Sequence, residues 1–192
     1  MSSGGIGKTM TVELIHMKTK TNRVESIKNL NLWGNDLEDI SIVSQMQALE
    51  VLSLAVNRVN TLKDIANCYN LRELYMRKNH LTSLSEVHRY LRGLENLRKL
   101  SLSENPLCDN PRYRQFVIKA LPKLEQLDNV DITHEERMKV EGLSLEELIG
   151  GGGSSALDYG AGGISPAKKR VSPAHYEDVS PSLSLLNFSI GR

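Results

Sequence analysis

The group in this chain that most invites a chemical reading is Gly4-Gly5-Ile6-Gly7-Lys8-Thr9. A phosphate-binding loop reads G-x-x-x-x-G-K-[ST]: its glycines free backbone amides to cradle phosphates, the lysine reaches the outer phosphates, and the hydroxyl holds a magnesium ion. The ending matches here. The first glycine position, however, is Ser2, and the sequence offers no strand-length segment ahead of it. Nucleotide binding is not expected.

His16, His80, His88, His134 and His175 have no carboxylate or cysteine companions at metal-ligand spacing. Cys68 and Cys108 stand apart from each other in sequence, and in a reducing compartment both stay thiols, so neither a disulfide nor a zinc site is expected. The sequence has no G-x-S-x-G elbow and no H-E-x-x-H helix, and the pairs Glu135-Glu136 and Glu146-Glu147 read as solvated helix faces. We expect no catalytic residues, no metal and no cofactor. The chain reads as a binding protein and not an enzyme.

What does organise the sequence is a repeat. Ile27, Leu30, Leu32, Asn35, Leu37, Ile40, Val43 and Met46 return 22 residues later as Leu49, Leu52, Leu54, Asn57, Val59, Leu62, Ile65 and Cys68. The spacing returns again at Leu71, Leu74, Met76, Asn79, Leu81, Leu84 and Val87. After a four-residue insertion it reappears at Leu97, Leu100, Leu102, Asn105 and Leu107. This is L-x-x-L-x-L-x-x-N-x-L, a leucine-rich repeat. The L-x-L pair alternates as a strand does, and the apolar residues that follow at three-residue intervals suit 3₁₀ turns or short helices. The expected fold is α/β: a right-handed solenoid with short parallel strands on its concave face, capped at both ends and followed by a disordered tail. Asn35, Asn57, Asn79 and Asn105 are expected to form a structural ladder, and Cys68, in the slot of Met46, to be a small buried hydrophobe.

If Leu30 and Leu32 point inward, Asn29, Asn31 and Trp33 point to the concave face. Adding the repeat offset gives three columns: Asn29, Val51, Glu73, Lys99; Asn31, Ser53, Tyr75, Ser101; and Trp33, Ala55, Arg77, Ser103. The predicted partner-binding residues are therefore Asn31, Trp33, Ser53, Ala55, Glu73, Tyr75, Arg77, Lys99, Ser101 and Ser103. Trp, Tyr and Arg dominate binding hot spots, and the small residues between them leave a groove. For Trp33 a second place is open, packed against the N-terminal cap. Lys plus Arg (24) nearly balance Asp plus Glu (23), which argues against nucleic acid or an anionic membrane as partner. With no apolar run of membrane-spanning length, the protein is expected to be soluble and intracellular.

The ends divide as follows. Residues 1–9 are expected to be a flexible N-terminus, 10–148 the repeat domain with its caps, and 149–192 a disordered Gly/Ser-rich and Ser-Pro tail. Val12, Leu14 and Ile15 are expected to close the first coil. At the other end Phe116, Val117, Ile118 and Leu121, a final strand around Leu124 and Leu127, and a helix opening at Thr133 with Glu136 in a capping box close the last. In the tail, Ser165, Ser172 and Ser180 precede prolines around Lys168-Lys169-Arg170, a pattern expected to be phosphorylated by proline-directed kinases. The basic cluster could alternatively serve nuclear import. Leu183, Leu185, Leu186, Phe188 and Ile190 form an apolar patch for a partner or for the domain itself.

Asn105-Pro106, Arg112-Tyr113-Arg114, Leu121-Pro122, Leu127-Asp128 and Glu136-Arg137 resemble the C-terminal cap of the protein-phosphatase-regulator type of leucine-rich repeat. That much also fits axonemal dynein light chain and the spliceosomal A-prime subunit. Leu32-Trp33-Gly34, Leu37 to Ile42, Leu49-Glu50-Val51, Leu54 to Asn57 and Glu73-Leu74-Tyr75 resemble more closely the cilia- and flagella-associated protein 410 family, over roughly residues 10 to 140. The resemblance implies a scaffold in cytoplasm, cilium or flagellum and basal body that supports cilium assembly through a NIMA-related kinase. It also implies a terminal helical oligomerisation segment, whereas the residues after Gly150 show no heptad. The alternatives are a regulatory subunit of a phosphatase or of axonemal dynein, and a nuclear ribonucleoprotein scaffold.

Overall fold

The computed structural model describes residues 7–149. The chain enters through β1 (Lys8–Thr9) and α1 (Val12–Thr19). Lys8 and Thr9, expected in a flexible N-terminus, instead pair in parallel with β3 (Leu37–Asp39) of the first coil. α1 starts where the Thr11 hydroxyl accepts the Leu14 amide at 3.3 Å and stops at Lys20, which takes a left-handed φ of 60° and donates its amide to His16 O. Of the three residues expected to close the first coil, Ile15 is buried and Leu14 half-buried. Val12 is exposed, and Met10, anchored by its amide on Asp39 O, fills in beside Ile15.

Each L-x-L pair lies in or at the end of a three-residue strand: β2 (Asn29–Asn31), β4 (Val51–Ser53), β5 (Glu73–Tyr75) and β6 (Lys99–Ser101). They pair in parallel with the register the repeat demands, Leu30 on Leu52, Leu52 on Leu74 and Leu74 on Leu100. The returning side of each coil is built of 3₁₀ turns, Val24–Ser26, Ser41–Gln45 and Lys63–Ile65. In the third coil the turn is replaced by α2 (Leu84–Glu86) running into a π-helical turn, Val87–Leu91, and this wider winding takes up the four-residue insertion. Leucine, isoleucine, valine and methionine from every coil form one continuous core, with Cys68 buried among them and its thiol pushed up to about 11 by that burial.

The asparagines form the expected ladder. The Asn57 amide donates to Leu32 O at 2.9 Å and Leu54 O at 2.8 Å while its oxygen accepts Asn35 N and Leu37 N. Asn79 repeats this on Leu54 O, Met76 O and Val59 N, and Asn105 on Met76 O, Leu102 O and Leu81 N. Asn35 has no coil before it to bridge. Half-buried, its side chain donates only to Trp33 O. One residue before each ladder asparagine the backbone turns left-handed, at Gly34, Val56, Lys78 and Glu104.

The C-terminal cap begins at a 3₁₀ turn, Pro106–Asp109, and α3 (Tyr113–Ala120). β7 (Gln126–Leu127) extends the parallel sheet, and β8 (Val130–Asp131) returns antiparallel through a two-residue loop in which Asp128 and Asn129 have φ of 52° and 62°. That conformation suits Asp and Asn and makes a tight hairpin. In the other coils Leu32 N, Leu54 N and Met76 N donate to a carbonyl of the next coil. Here the Asp128 carboxylate takes that place, accepting Leu102 N at 2.7 Å and Ser103 N at 2.9 Å, with its second oxygen on Tyr113 Oη. α4 (His134–Glu141) opens on the capping box of Thr133 and Glu136, and α5 (Leu145–Ile149) ends the described residues. Ile149, assigned from sequence to the tail, closes that helix.

Three of the glutamates in the pairs read as solvated helix faces are engaged. Glu135 meets Lys139 at 2.7 Å within α4. Glu136 receives Arg114 Nε at 2.7 Å and Nη2 at 3.0 Å, which ties α4 to α3. The Arg114 guanidinium and the capping-box amide hold its carboxyl down to about 2. Glu147 accepts Ser144 N in a second cap.

Candidate functional site

Parallel register places the three predicted columns side by side on one face. Asn29, Val51, Glu73 and Lys99 align, as do Asn31, Ser53, Tyr75 and Ser101. The column of Trp33, Ala55, Arg77 and Ser103 continues each strand by two residues, and bonds such as Gly34 N to Ala55 O at 3.0 Å and Val56 N to Arg77 O at 2.9 Å hold it together. Trp33 is 62% exposed. It therefore does not cover the N-terminal cap, and Asn31 Oδ1 accepting Trp33 N at 3.0 Å fixes the backbone that carries it.

One predicted groove residue is not available. Ser101 is 4% exposed, because it lies between Tyr75 in its own column and the Asp128 side chain that reaches across to Leu102 and Ser103. The groove is thus closed at the C-terminal end. Ser53, Ala55 and Ser103 are half-buried, and Asn31, Arg77 and Lys99 are exposed.

Charge divides the face into two halves. On the C-terminal half the ions neutralise one another: Glu73 meets Lys99 at 3.0 Å, and Arg77 meets Glu104 at 2.6 Å. Tyr75 Oη donates to Glu73 at 2.6 Å, and its hydroxyl is pushed up to about 12 by burial and by that carboxylate. For Glu73, burial works against ionisation. The Tyr75 hydroxyl and the Lys99 ammonium outweigh it and hold the carboxyl low. The N-terminal half, Asn29, Asn31, Trp33, Val51, Ser53 and Ala55, carries no charge. It is the uncharged half that exposes the largest apolar side chain.

Sequence reasoning passed over two residues next to this face. Glu104, on the turn after Ser103, neutralises Arg77. Val56, after Ala55, is a β-branched residue at φ 59°. The signal for both lay in the position before each ladder asparagine, which the repeat fixes.

The glycine-lysine-threonine ending does not form a phosphate cradle. Gly7 N donates to Glu38 Oε2 at 3.1 Å, Lys8 N donates to Asp36 O at 2.9 Å, and Lys8 and Thr9 lie in a strand instead of opening a helix. Among the described residues no three His, Cys, Asp or Glu side chains come together to hold a metal ion. His80 is exposed on its turn, as its place after Asn79 predicts. Ser165, Ser172, Ser180, the Lys168-Lys169-Arg170 cluster and the apolar residues from Leu183 to Ile190 lie outside the described residues.

The leucine-rich repeat family matches residues 14–145, most of the chain. The chain belongs to the leucine-rich repeat family. It is 43% identical over 129 residues to human cilia- and flagella-associated protein 410, covering 66% of this chain and 50% of that protein. It is also 31% identical over 132 residues to mouse leucine-rich repeat-containing protein 51, covering 66% of this chain and 68% of that protein. The chain spans about half or less of the length of the first relatives it matches. Among solved structures, the Drosophila melanogaster SNF/U2A' complex has a chain with a TM-score of 0.53 at 22% identity, covering 70% of this chain and 91% of that one, a likeness of fold.

Proposed function

We propose that this chain is a non-catalytic scaffold that holds a protein partner on its concave face, and that it works at the cilium or flagellum. The observation that carries the first part is Trp33: a tryptophan left 62% exposed in the turn that continues β2 of a parallel sheet. Large apolar side chains bury readily when a surface is free to fold over them, and a rigid, solvent-facing Trp among small residues is how a binding anchor is presented. Self-paired charges on the rest of the face favour a protein over a polyanion.

The second part rests on the likeness to a protein named for its association with cilia and flagella; our reading extends this to the cytoplasm and basal body and to a NIMA-related kinase as partner. Residues 10–148, extended by Lys8, Thr9 and Ile149, would act as the binding domain. Residues 150–192 would be a tail that changes its charge by phosphorylation at Ser165, Ser172 and Ser180.

The test is an affinity pull-down from ciliated cells with the native chain and with one carrying Trp33→Ala, Tyr75→Ala and Arg77→Ala, both first shown to melt alike. Recovery of a NIMA-related kinase or basal-body proteins, lost with the triple change, is the expected result. The same partners surviving the change would overturn the face, and phosphatase, dynein or splicing proteins in their place would overturn the ciliary assignment.

A further inference from the structure

We infer that the N-terminal edge of the six-stranded sheet, at Asn29–Asn31, pairs antiparallel with the same strand of a second copy of this chain, joining two solenoids through one continuous sheet. The inference does not depend on a partner protein occupying the concave face.

It begins with where the backbone of β2 sends its hydrogen bonds. Val51 N donates to Lys28 O at 2.9 Å, and Leu32 N donates to Ser53 O at 2.9 Å. With Leu30 in register on Leu52, residues 28, 30 and 32 turn towards β4, and residues 29, 31 and 33 turn outward. At Trp33 the outward groups are satisfied locally: the amide donates to Asn31 Oδ1 at 3.0 Å and the carbonyl accepts Asn35 Nδ2 at 2.8 Å. The amides and carbonyls of Asn29 and Asn31 have no partner among the described residues. α1 packs beside β2 without bonding to it, and Asn29 and Asn31 are exposed.

The other end of the sheet is treated differently. β8 is two residues long, and Arg114 Nη2 donates to the Asp131 carbonyl at 3.1 Å. Sheets normally blunt an edge with charge or a covering group, since open amides and carbonyls are a template for another strand. β2 has neither at Asn29 and Asn31.

A second copy fits this edge by symmetry. With Leu30 opposite Leu30 of the second copy, Asn29 faces Asn31 of the second copy and the reverse, and each such pair exchanges two N–H···O bonds. Every outward group of both strands is then satisfied, and the ladder ends where the side chains of Asn31 and Asn35 already cap Trp33. The side chains brought face to face are asparagines, so no like charges oppose. Lys28 is engaged with Glu50 at 2.9 Å. The chain leading into β2 sets Lys18, Lys20 and Arg23 against Glu13 and Glu25, so two copies do not meet with a single sign of charge. The same end carries Trp33 and Met17, at 62% and 61% the most exposed large hydrophobic residues described. A short extended peptide would meet the same backbone groups, whereas a second copy also brings its own Trp33 and Met17 to the junction.

The experiment is sedimentation velocity on the full chain from about 1 to 500 µM, where a monomer–dimer equilibrium is expected. Asn29→Pro removes an outward N–H that the single chain does not use, so it should melt as the native chain does and weaken the dimer by about tenfold or more. Two double variants test the register. Asn29→Lys with Asn31→Lys opposes like charges across the twofold, whereas Asn29→Lys with Asn31→Glu pairs opposite ones, and the first dimer should be weaker than the second by about tenfold. A chain that stays monomeric at every concentration, a dimer unaltered by Asn29→Pro, or equal dimers in the two double variants would overturn the inference. So would a monomer that binds an extended peptide at this edge and loses it in Asn29→Pro, which would give the edge to a different partner.

Discussion

Replacing Asn79 by alanine should destabilise the domain far more than the same change at Asn35, although the repeat makes the two residues equivalent. Asn79 is 4% exposed, donates to Leu54 O and Met76 O at 2.9 Å each, and accepts Val59 N at 3.0 Å. Truncation strips the buried Val59 amide of its acceptor, which costs about 1–3 kcal/mol. The two carbonyls suffer less. Leu54 O still accepts from Asn57, and Met76 O from Asn105, so together they add about 1 kcal/mol. The sum is about 2–4 kcal/mol. Asn35 is half-buried and its side chain donates only to Trp33 O at 2.8 Å, so its loss costs about 0.5–1 kcal/mol. For a domain of this size the difference is roughly 5–10 °C in Tm. Urea denaturation and thermal melts followed by far-ultraviolet circular dichroism measure it. Asn79→Asp sharpens the comparison, since it keeps the acceptor for Val59 N but turns carboxylate oxygen towards two carbonyls, and it should be as damaging as alanine at neutral pH. Equal losses at positions 35 and 79 would refute the ladder as the source of the stability, because only the inner asparagines bridge coils.

Three further outcomes follow from the geometry. Glu136→Gln should cost about 1–2 kcal/mol near neutrality by weakening a half-exposed bidentate pair with Arg114. Because the folded carboxyl is held down to about 2, that contribution is present above the ordinary glutamate range and fades as pH falls through it towards 2. Melts of the two proteins should therefore converge in acid, and a constant gap would argue against the ion pair. Val56→Gly should leave Tm unchanged or slightly raised, since relief of about 1–2 kcal/mol of left-handed strain offsets the glycine's extra unfolded-state entropy of about 0.5–1 kcal/mol. A marked drop in the melt would show that the Val56 side chain serves the fold. Trp33→Ala should change stability by no more than about 0.5 kcal/mol, as suits an exposed residue, and a larger loss in urea titrations would return Trp33 to a capping role.

The body of the solenoid could be read before any coordinate because its signal is redundant. Leu30, Leu52, Leu74 and Leu100 each predict the same strand, and parallel pairing at a fixed offset then dictates which side chains share a column. The ends carried no such redundancy. Lys8 and Thr9 form a strand only because Glu38, Asp36 and Asp39 of the first coil offer acceptors, and nothing local to Gly7-Lys8-Thr9 announces that. The antiparallel return at β8 left a trace in Asp128-Asn129, a pair suited to positive φ, but after Leu127 it read as a simple stop. For Trp33 the pattern gave the column and not its exposure, which depends on how α1 packs. Ser101 shows the converse, a residue correctly placed in its column yet buried by a side chain from the cap.

Asp128 also governs how such an array can be lengthened. A coil added after Leu127 would have to supply carbonyls where a carboxylate now accepts Leu102 N and Ser103 N, and would meet a strand already running backwards. Elongation is blocked there. A 22-residue block inserted between existing coils would instead bring its own asparagine, find a ladder neighbour on each side, and leave both termini as they are. Growth of this domain is therefore by intercalation. Any longer descendant should keep Asp128 with its Tyr113 partner at the end, and vary in the number of asparagines that precede them.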